Sequence, residues 1–390
     1  MRILIAPNSF KKSLGAAEAA DAIARGLNQS RLACLCRCHP IADGGDGTAA
    51  VLLGQFDGVT ETVAAHHALG GKISADVGYI HKGRTAVVEL AEASGLRRLA
   101  RSRLDPLRAS TFGTGELIRS ALDRGAGSIL LAAGGSATID GAAGALRALG
   151  VRLLDGHGSP LSGTAESLAR VAAIDLSGLH PRARECAITV LCDVENPMLG
   201  STGAARIFGT QKGARGADIQ ALEAALARWV EVLRIQTGID VGSLPRGGAA
   251  GGVAAGLHAV LGASLVSGTD RVLDVTGFDG ALDQTDLLIT GEGALDRQTL
   301  RGKAPLGAAL RARARGVPVI ALAGHVPAAA DADLHAAFDA MLSISHAPIA
   351  AGEALKLTAL NLQRTARALG DILAMAGGRS SYAGAIEGSR

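Results

Sequence analysis

Short apolar runs alternate along this chain with stretches in which apolar residues recur every three or four positions, a pattern that predicts buried strands interleaved with amphipathic helices. Arg2 to Ala6 predicts a first strand and Ala33 to Cys38 a second. Between them Leu14, Ala17, Ala20, Ile23, Ala24 and Leu27 fall at helical spacing, so a helix is expected from about Ser13, as N-cap, to Leu27. Strand-like pieces follow at Val59 to His66, Lys72 to Ile80 and Thr85 to Glu89. Buried strands are expected at Ser128 to Ala133, Ala187 to Cys192, Leu287 to Thr290, Pro318 to Ala323 and Ala340 to Ser345, with long helices at Ile219 to Thr237 and about Gly352 to Met375. Two N-terminal strands are too few for a doubly wound sheet, and the C-terminal region supplies three more. One α/β domain from both chain ends (1–57 and 284–378), a second inserted at 58–283, and a site in the cleft between them are therefore expected, followed by a disordered tail at 379–390.

The loops after the strands carry the chemistry. From Asp286 to Pro305, glycine breaks the apolar run at Gly291-Glu292-Gly293, and Asp296, Gln298, Thr299 and Lys303 follow within a few residues. Carboxylates for a divalent cation, an amide and a lysine past the end of a parallel strand suit a polyanion such as a nucleotide triphosphate; a polar loop capping the next helix is the other reading. Pro40 to Thr48 places Asp43 and Asp46 among Gly44, Gly45 and Gly47 ahead of a helix, as in a phosphate or metal loop. The turn Pro7 to Lys12 leads into a helix N-terminus, where amides favour anions and Ser9, Lys11 and Lys12 add donors. Thr111 to Glu116 opens a helix to about Asp123, and Gly134 to Gly141 is either a further anion cradle or a tightly packed helix entry. Asp193 to Pro197 ends a strand, while Phe208 to Ala214 presents Lys212 either to a phosphate or to solvent. The glycine-rich passage Pro245 to Gly256 is either a flexible link or tight helix packing, and His66 and His67 read as strand histidines rather than ligands.

Composition narrows the classes. With 390 residues, two to three domains are the prior, and 48% hydrophobic residues with 2% aromatics and 53 dispersed glycines fit a compact α/β protein. A net charge of +3, from 39 basic and 36 acidic residues, gives no field for nucleic acid or an anionic membrane. The run of Arg97, Arg98, Arg101, Arg103 and Arg108 lacks interleaved aromatics and reads as a solvated face. No G-x-G-x-x-G follows the first strand, and G-x-x-x-x-G-K-[ST] is absent, which disfavours a NAD-dependent enzyme or a P-loop ATPase. Of five cysteines, Cys34, Cys36 and Cys38 share one strand face; they are expected as buried thiols in a reducing compartment. With no signal-peptide core and no membrane-length apolar run, a cytoplasmic protein is expected, as monomer or homodimer.

Seven segments in this order, APNSFKKSL, PIADGGDGT, TFGTGEL, GGSATIDGAAGALRALG, LCDVENPMLG, FGTQKGA and ITGEGALDRQTLRGKAPLG, resemble the type I glycerate kinases from Met1 to Gly377. The resemblance implies transfer of the γ-phosphoryl group of ATP to D-glycerate with Mg²⁺, usually giving 2-phosphoglycerate. It also implies two α/β domains, one a Rossmann-like parallel sheet made from both chain ends and the other a mixed α/β domain inserted in the middle. Six positions depart from the family pattern: Asn8 stands for aspartate, Lys12 for glycine, Asp46 for glutamate, Ile139 for asparagine, Ala142 for glycine and Thr210 for proline. Asn8 matters most, because an amide neither takes a proton nor neutralises a metal.

At the matched positions, Asp43 and Glu292 are expected to coordinate Mg²⁺, with Asp296 as an alternative, and Lys11 and Lys303 to contact phosphates. Asp193 is the candidate to accept the proton of the attacking hydroxyl, although exchanging base and metal ligand between Asp193 and Asp43 fits the sequence equally. Asn196, Gln298 and Ser9 are expected to orient the substrates, with Lys212 and the backbones of Gly44, Gly45, Gly291 and Gly293 lining the site. A kinase of a related small 2-hydroxy acid shares every motif, and Asn8 alone favours a non-catalytic nucleotide-binding regulator.

Overall fold

The computed structural model describes the chain except residues 297–298, 328–331, 347–349 and 387–390. It forms two compact α/β units, one of Met1–Asp43 with Thr269–Arg390 and the other of Gly44–Gly268. The sheet of the first unit has the order Ala340–Ser343, Val319–His325, Leu287–Ala294, Arg2–Pro7, Leu35–Cys38, and every neighbouring pair is parallel. Its three central strands carry unbroken buried apolar runs because both of their faces are covered. Leu4, Ala6 and Leu288 share a core with Phe278, Leu282, Ala308 and Phe338, whereas Ile3, Ile5 and Ile289 share the opposite one with Ile23, Leu27, Leu362 and Leu369.

Three local expectations for this unit are corrected. The strand is not broken at Gly291 but runs on to Ala294. A Cβ at Gly291 would lie 2.0 Å from the Leu322 carbonyl oxygen, so glycine there admits the neighbouring strand rather than ending its own. Ser13 is not an N-cap: the turn closes on itself through the Phe10–Leu14 backbone pair, and the helix Ala16–Asn28 starts later, at Gly15, whose N–H donates to Glu18 Oε2 at 3.0 Å. Ser13 Oγ instead bonds Thr358 Oγ1 at 2.7 Å. The cysteines of the edge strand are not fully buried either; Cys34 and Cys36 are half-buried, 3.8 Å apart at sulfur, and Cys38 is exposed. An edge strand this short leaves one side open to water. The last helix spans Thr358–Ile386, covering the first part of the stretch expected as a tail; its final four residues lie outside the described residues.

The second unit has a six-stranded mixed sheet in the order Ser264–Val266, Ala187–Leu191, Ser128–Ala132, Thr85–Glu89, Lys72–Ile80, Val59–His66. The first four strands are parallel and the last two antiparallel. A separate antiparallel pair, Arg152–Asp155 with Val171–Asp175, is not among the strands expected from the sequence. The passage Pro245 to Gly256 enters the helix Ala249–Leu261, left-handed at Ala250, Gly251 and Gly252 and almost wholly buried from Gly251 on, which is tight packing and not a link. Trp229, in the helix Gly216–Thr237, is fully buried and donates from Nε1 to the Gly141 carbonyl at 2.9 Å, so this helix supports the Gly134 to Gly141 loop from behind. Among the described residues, no helix is long and apolar enough to cross a membrane.

Candidate functional site

In the first unit the polar residues gather where the parallel strands end. Glu292, near the carboxyl end of the strand Leu287–Ala294, is 4% exposed. Its Oε1 accepts from Thr299 Oγ1 at 2.8 Å and its Oε2 from Lys303 Nζ at 3.4 Å, and Lys303 also lies 3.7 Å from Asp296 Oδ1. Burial pushes the Glu292 pKa up, Lys303 and Thr299 pull it back, and the negative charge of Asp43 adds to the rise. Asp43 therefore shares this field. The Pro7 to Lys12 turn is pinned to the same end, because the Asn8 N–H donates to the Gly291 carbonyl at 2.8 Å. Asn8 is buried; its Nδ2 approaches Asp43 Oδ2 at 3.4 Å and its Oδ1 accepts from the Ser9 N–H at 2.7 Å.

Beside this cluster is a pocket of about 410 Å³. Phe10, Ala294, Ile344 and Leu355 give it an apolar wall, and Lys11, Glu292, Gly293 and Lys303 a charged end. The first unit thus brings together Lys11, Glu292, Asp296, Lys303 and the glycines Gly291 and Gly293, with Asp43 and Ser9 linked through Asn8; Gln298 lies outside the described residues. Among the described residues no group of three or more His, Cys, Asp or Glu side chains could hold a metal ion. Paired oxygen donors do suit Mg²⁺, which keeps several waters and takes only one or two carboxylates when phosphates supply the rest.

The second unit carries a separate set of loops at its own parallel strand ends. The Gly134 N–H donates to the Gly44 carbonyl at 3.2 Å, and a Cβ at Gly134 would lie 2.5 Å from Gly45 Cα, so these glycine loops pack backbone against backbone. Asp193, past the strand Ala187–Leu191, accepts from Ser267 Oγ at 3.1 Å, and Asn196 turns its amide to the Thr202 carbonyl at 2.8 Å. Lys212 is not solvated. It is 2% exposed, and its Nζ donates to Ser136 Oγ at 2.6 Å and the Thr138 carbonyl at 2.8 Å; burial brings its pKa down to about 7, against the pull of Asp140.

Two carboxylates escape sequence reading. Glu89 ends the strand Thr85–Glu89 and is buried, and its Oε1 accepts from the N–H groups of Gly47 and Ala49 at 2.9 and 2.8 Å, capping the helix Thr48–Gln55 that follows the aspartate-glycine loop. Burial raises its pKa although both amides oppose this. Asp140 is wholly buried; its Oδ2 accepts from the Thr111 N–H, the Thr111 hydroxyl and the Gly144 N–H, and burial raises its pKa to about 6. The available signal was a lone acid among apolar or glycine neighbours, at Glu89 after Thr85-Ala86-Val87-Val88 and at Asp140 before Gly141.

Comparison with known proteins extends over nearly the whole chain. The model of the glycerate kinase family matches residues 3–374. A glycerate kinase of Halalkalibacterium halodurans is 40% identical over 365 residues, covering 94% of this chain and 96% of its own length. A glycerate 2-kinase of Escherichia coli K12 is 42% identical over 324 residues, covering 83% and 85%. The crystal structure of a chain described as glycerate kinase 2 from Salmonella typhimurium LT2 superposes with a TM-score of 0.86 at 40% identity, covering 97% of this chain and 99% of that one. With motifs, fold and length all in agreement, this chain belongs to the glycerate kinase family.

Proposed function

We propose that the protein transfers the γ-phosphoryl group of ATP to the 2-hydroxyl of D-glycerate, giving 2-phosphoglycerate and ADP, with Mg²⁺ as cofactor. The observation that carries this reading is the Glu292, Lys303 and Lys11 cluster at the charged end of the 410 Å³ pocket, whose apolar wall suits a nucleoside and whose lysines suit its phosphates. Asp43 and Glu292 are the proposed Mg²⁺ ligands, with Asp296 as the alternative; the negative charge of Asp43 helps to raise the pKa of Glu292, and a cation between the two carboxylates would relieve that repulsion. When bound, Mg²⁺ supplies neutralisation of charge on the β- and γ-phosphates.

Lys11 and Lys303 hold phosphate oxygens, and the flanking glycines let backbone amides approach them. Asp193 accepts the proton of the attacking hydroxyl as the new oxygen–phosphorus bond forms and the bond to the β–γ bridging oxygen breaks. The exchange of roles between Asp193 and Asp43 is disfavoured by their surroundings. Asp43 lies beside Glu292 and Asn8, whereas Asp193 has the hydroxyl of Ser267 for a neighbour. Ser9, Asn196 and Gln298 orient the substrates, and Asn8 acts through Asp43: its amide donates where a second carboxylate would repel. Asn8 is thus compatible with catalysis. The test is ADP release by the purified protein with Mg·ATP and either D- or L-glycerate. Turnover specific for the D-isomer is expected; ATP binding without glycerate-dependent ADP release would overturn the proposal in favour of a regulator.

A further inference from the structure

Lys212 is a lysine placed where it cannot meet a ligand directly. Its short helical turn, Thr210–Lys212, directs the side chain inward, and the ammonium group ends on Ser136 Oγ and the Thr138 carbonyl. Behind it lies Asp140, whose Oδ2 takes three donors while its Oδ1 is buried without a hydrogen-bond partner, and the charge of Asp140 favours the lysine cation. An ammonium only donates, so the Ser136 oxygen is occupied as an acceptor and its own hydrogen must point elsewhere. None of the hydrogen bonds among the described residues uses Ser136 as donor.

Ser136 follows the strand Ser128–Ala132, which pairs with Ala187–Leu191, the strand that leads to Asp193; its neighbour Gly134 packs on Gly45. Ser136 is 6% exposed, enough for one contact from outside. Asp46, whose Oδ1 would lie 2.7 Å from a Cβ at Gly135, makes this loop acidic, so an anionic group there needs a cation behind its donor. Lys212 supplies that cation without reaching the surface.

We propose that the Ser136 hydroxyl donates to an oxyanion of the substrates and that Lys212 is a positioning residue that polarises and aims it. This rests on the kinase reading above and gives it an oxyanion donor outside the lysines of the first unit. The oxyanion comes from the glycerate carboxylate or from the triphosphate, and kinetics separates the two. A hydrogen bond to a charged group is worth at least a tenfold change in binding when it is removed.

The experiment measures KM for D-glycerate and for Mg·ATP in the parent, Ser136→Ala, Ser136→Thr, Lys212→Met and the Ala/Met double variant. Ser136→Ala is expected to raise one KM at least tenfold: that of glycerate if the carboxylate is held, that of ATP if a phosphate is. Ser136→Thr restores most of the loss, Lys212→Met reproduces it on the same substrate, and the double variant is no worse than the poorer single one. If Lys212→Met does not fold, Ser136→Ala against Ser136→Thr decides alone. Both KM values within twofold of the parent in Ser136→Ala, or additive losses in the double variant, would overturn the proposal. If the parent shows no turnover, the kinase reading fails by itself; calorimetric titration of parent and Ser136→Ala with D-glycerate and with Mg·ATP then tests Ser136 separately, equal affinities overturning its role.

Discussion

Replacing Lys303 by Met should expose what holds the buried charge of Glu292. At 3.4 Å the pair attracts by about 5 kcal/mol at an effective dielectric constant of about 20. Lys303 keeps some solvent contact and Thr299 still donates to Glu292, so a net loss of about 3 kcal/mol is expected, the usual cost of orphaning one member of a buried pair. The loss depends on pH. Glu292 has a folded pKa above its unfolded value of 4.5, so the folded state binds the extra proton and stability falls as pH rises through that window. Without Lys303 the folded pKa rises further and the penalty grows. Urea unfolding followed by circular dichroism should therefore find the Lys303→Met deficit small near pH 4.5 and about 3 kcal/mol at pH 8. Adding Glu292→Gln should recover most of that stability while leaving the enzyme inactive. A deficit under about 0.5 kcal/mol, a deficit equal at both pH values, or no recovery in the double variant would refute the reasoning.

Three further outcomes are expected. Asp193→Asn should lower kcat by about 10² to 10³ in the ADP-release assay with KM for ATP unchanged, as loss of a general base does; a change within a few-fold would remove Asp193 from that role. His39, buried against Phe278 and bonded to Thr276 Oγ1 at 3.0 Å, has its pKa pushed down to about 4 by burial and then by Arg37. Its contribution is present above pH 6.5 and is lost as pH falls toward 4, by about 3 kcal/mol in all, so His39→Asn should flatten the unfolding profile across that interval. Gly291→Ala should abolish soluble expression or cost several kcal/mol in urea unfolding, because its Cβ would meet the Leu322 carbonyl at 2.0 Å.

The strands Val59–His66, Lys72–Ile80 and Thr85–Glu89 take the bounds read from sequence because alternation or β-branched residues fill them and turns bound them. The five-stranded parallel sheet and the family are borne out as well, since continuous apolar runs and seven ordered motifs are long-range signals that do not depend on any single residue. What sequence could not convey is which polar group turns inward. Lys212 reads as a loop lysine, yet its chain passes through the core to Ser136. Glu89 reads as the end of a strand, yet it caps the helix of a loop some 40 residues earlier in the chain. Ser13 reads as a helix cap until the Phe10–Leu14 turn claims its neighbours. The ladder of Arg152–Asp155 with Val171–Asp175 is too short and too charged at its ends to show a period.

The most direct measurement is the proton-coupled phosphorus spectrum of the product formed from D-glycerate and Mg·ATP. Phosphate on the 2-hydroxyl neighbours a single methine proton, so a new doublet growing with the ADP signals is the result predicted here. A triplet, from phosphate beside a methylene, would place transfer on the 3-hydroxyl, and no new phosphate ester at all would contradict the kinase account.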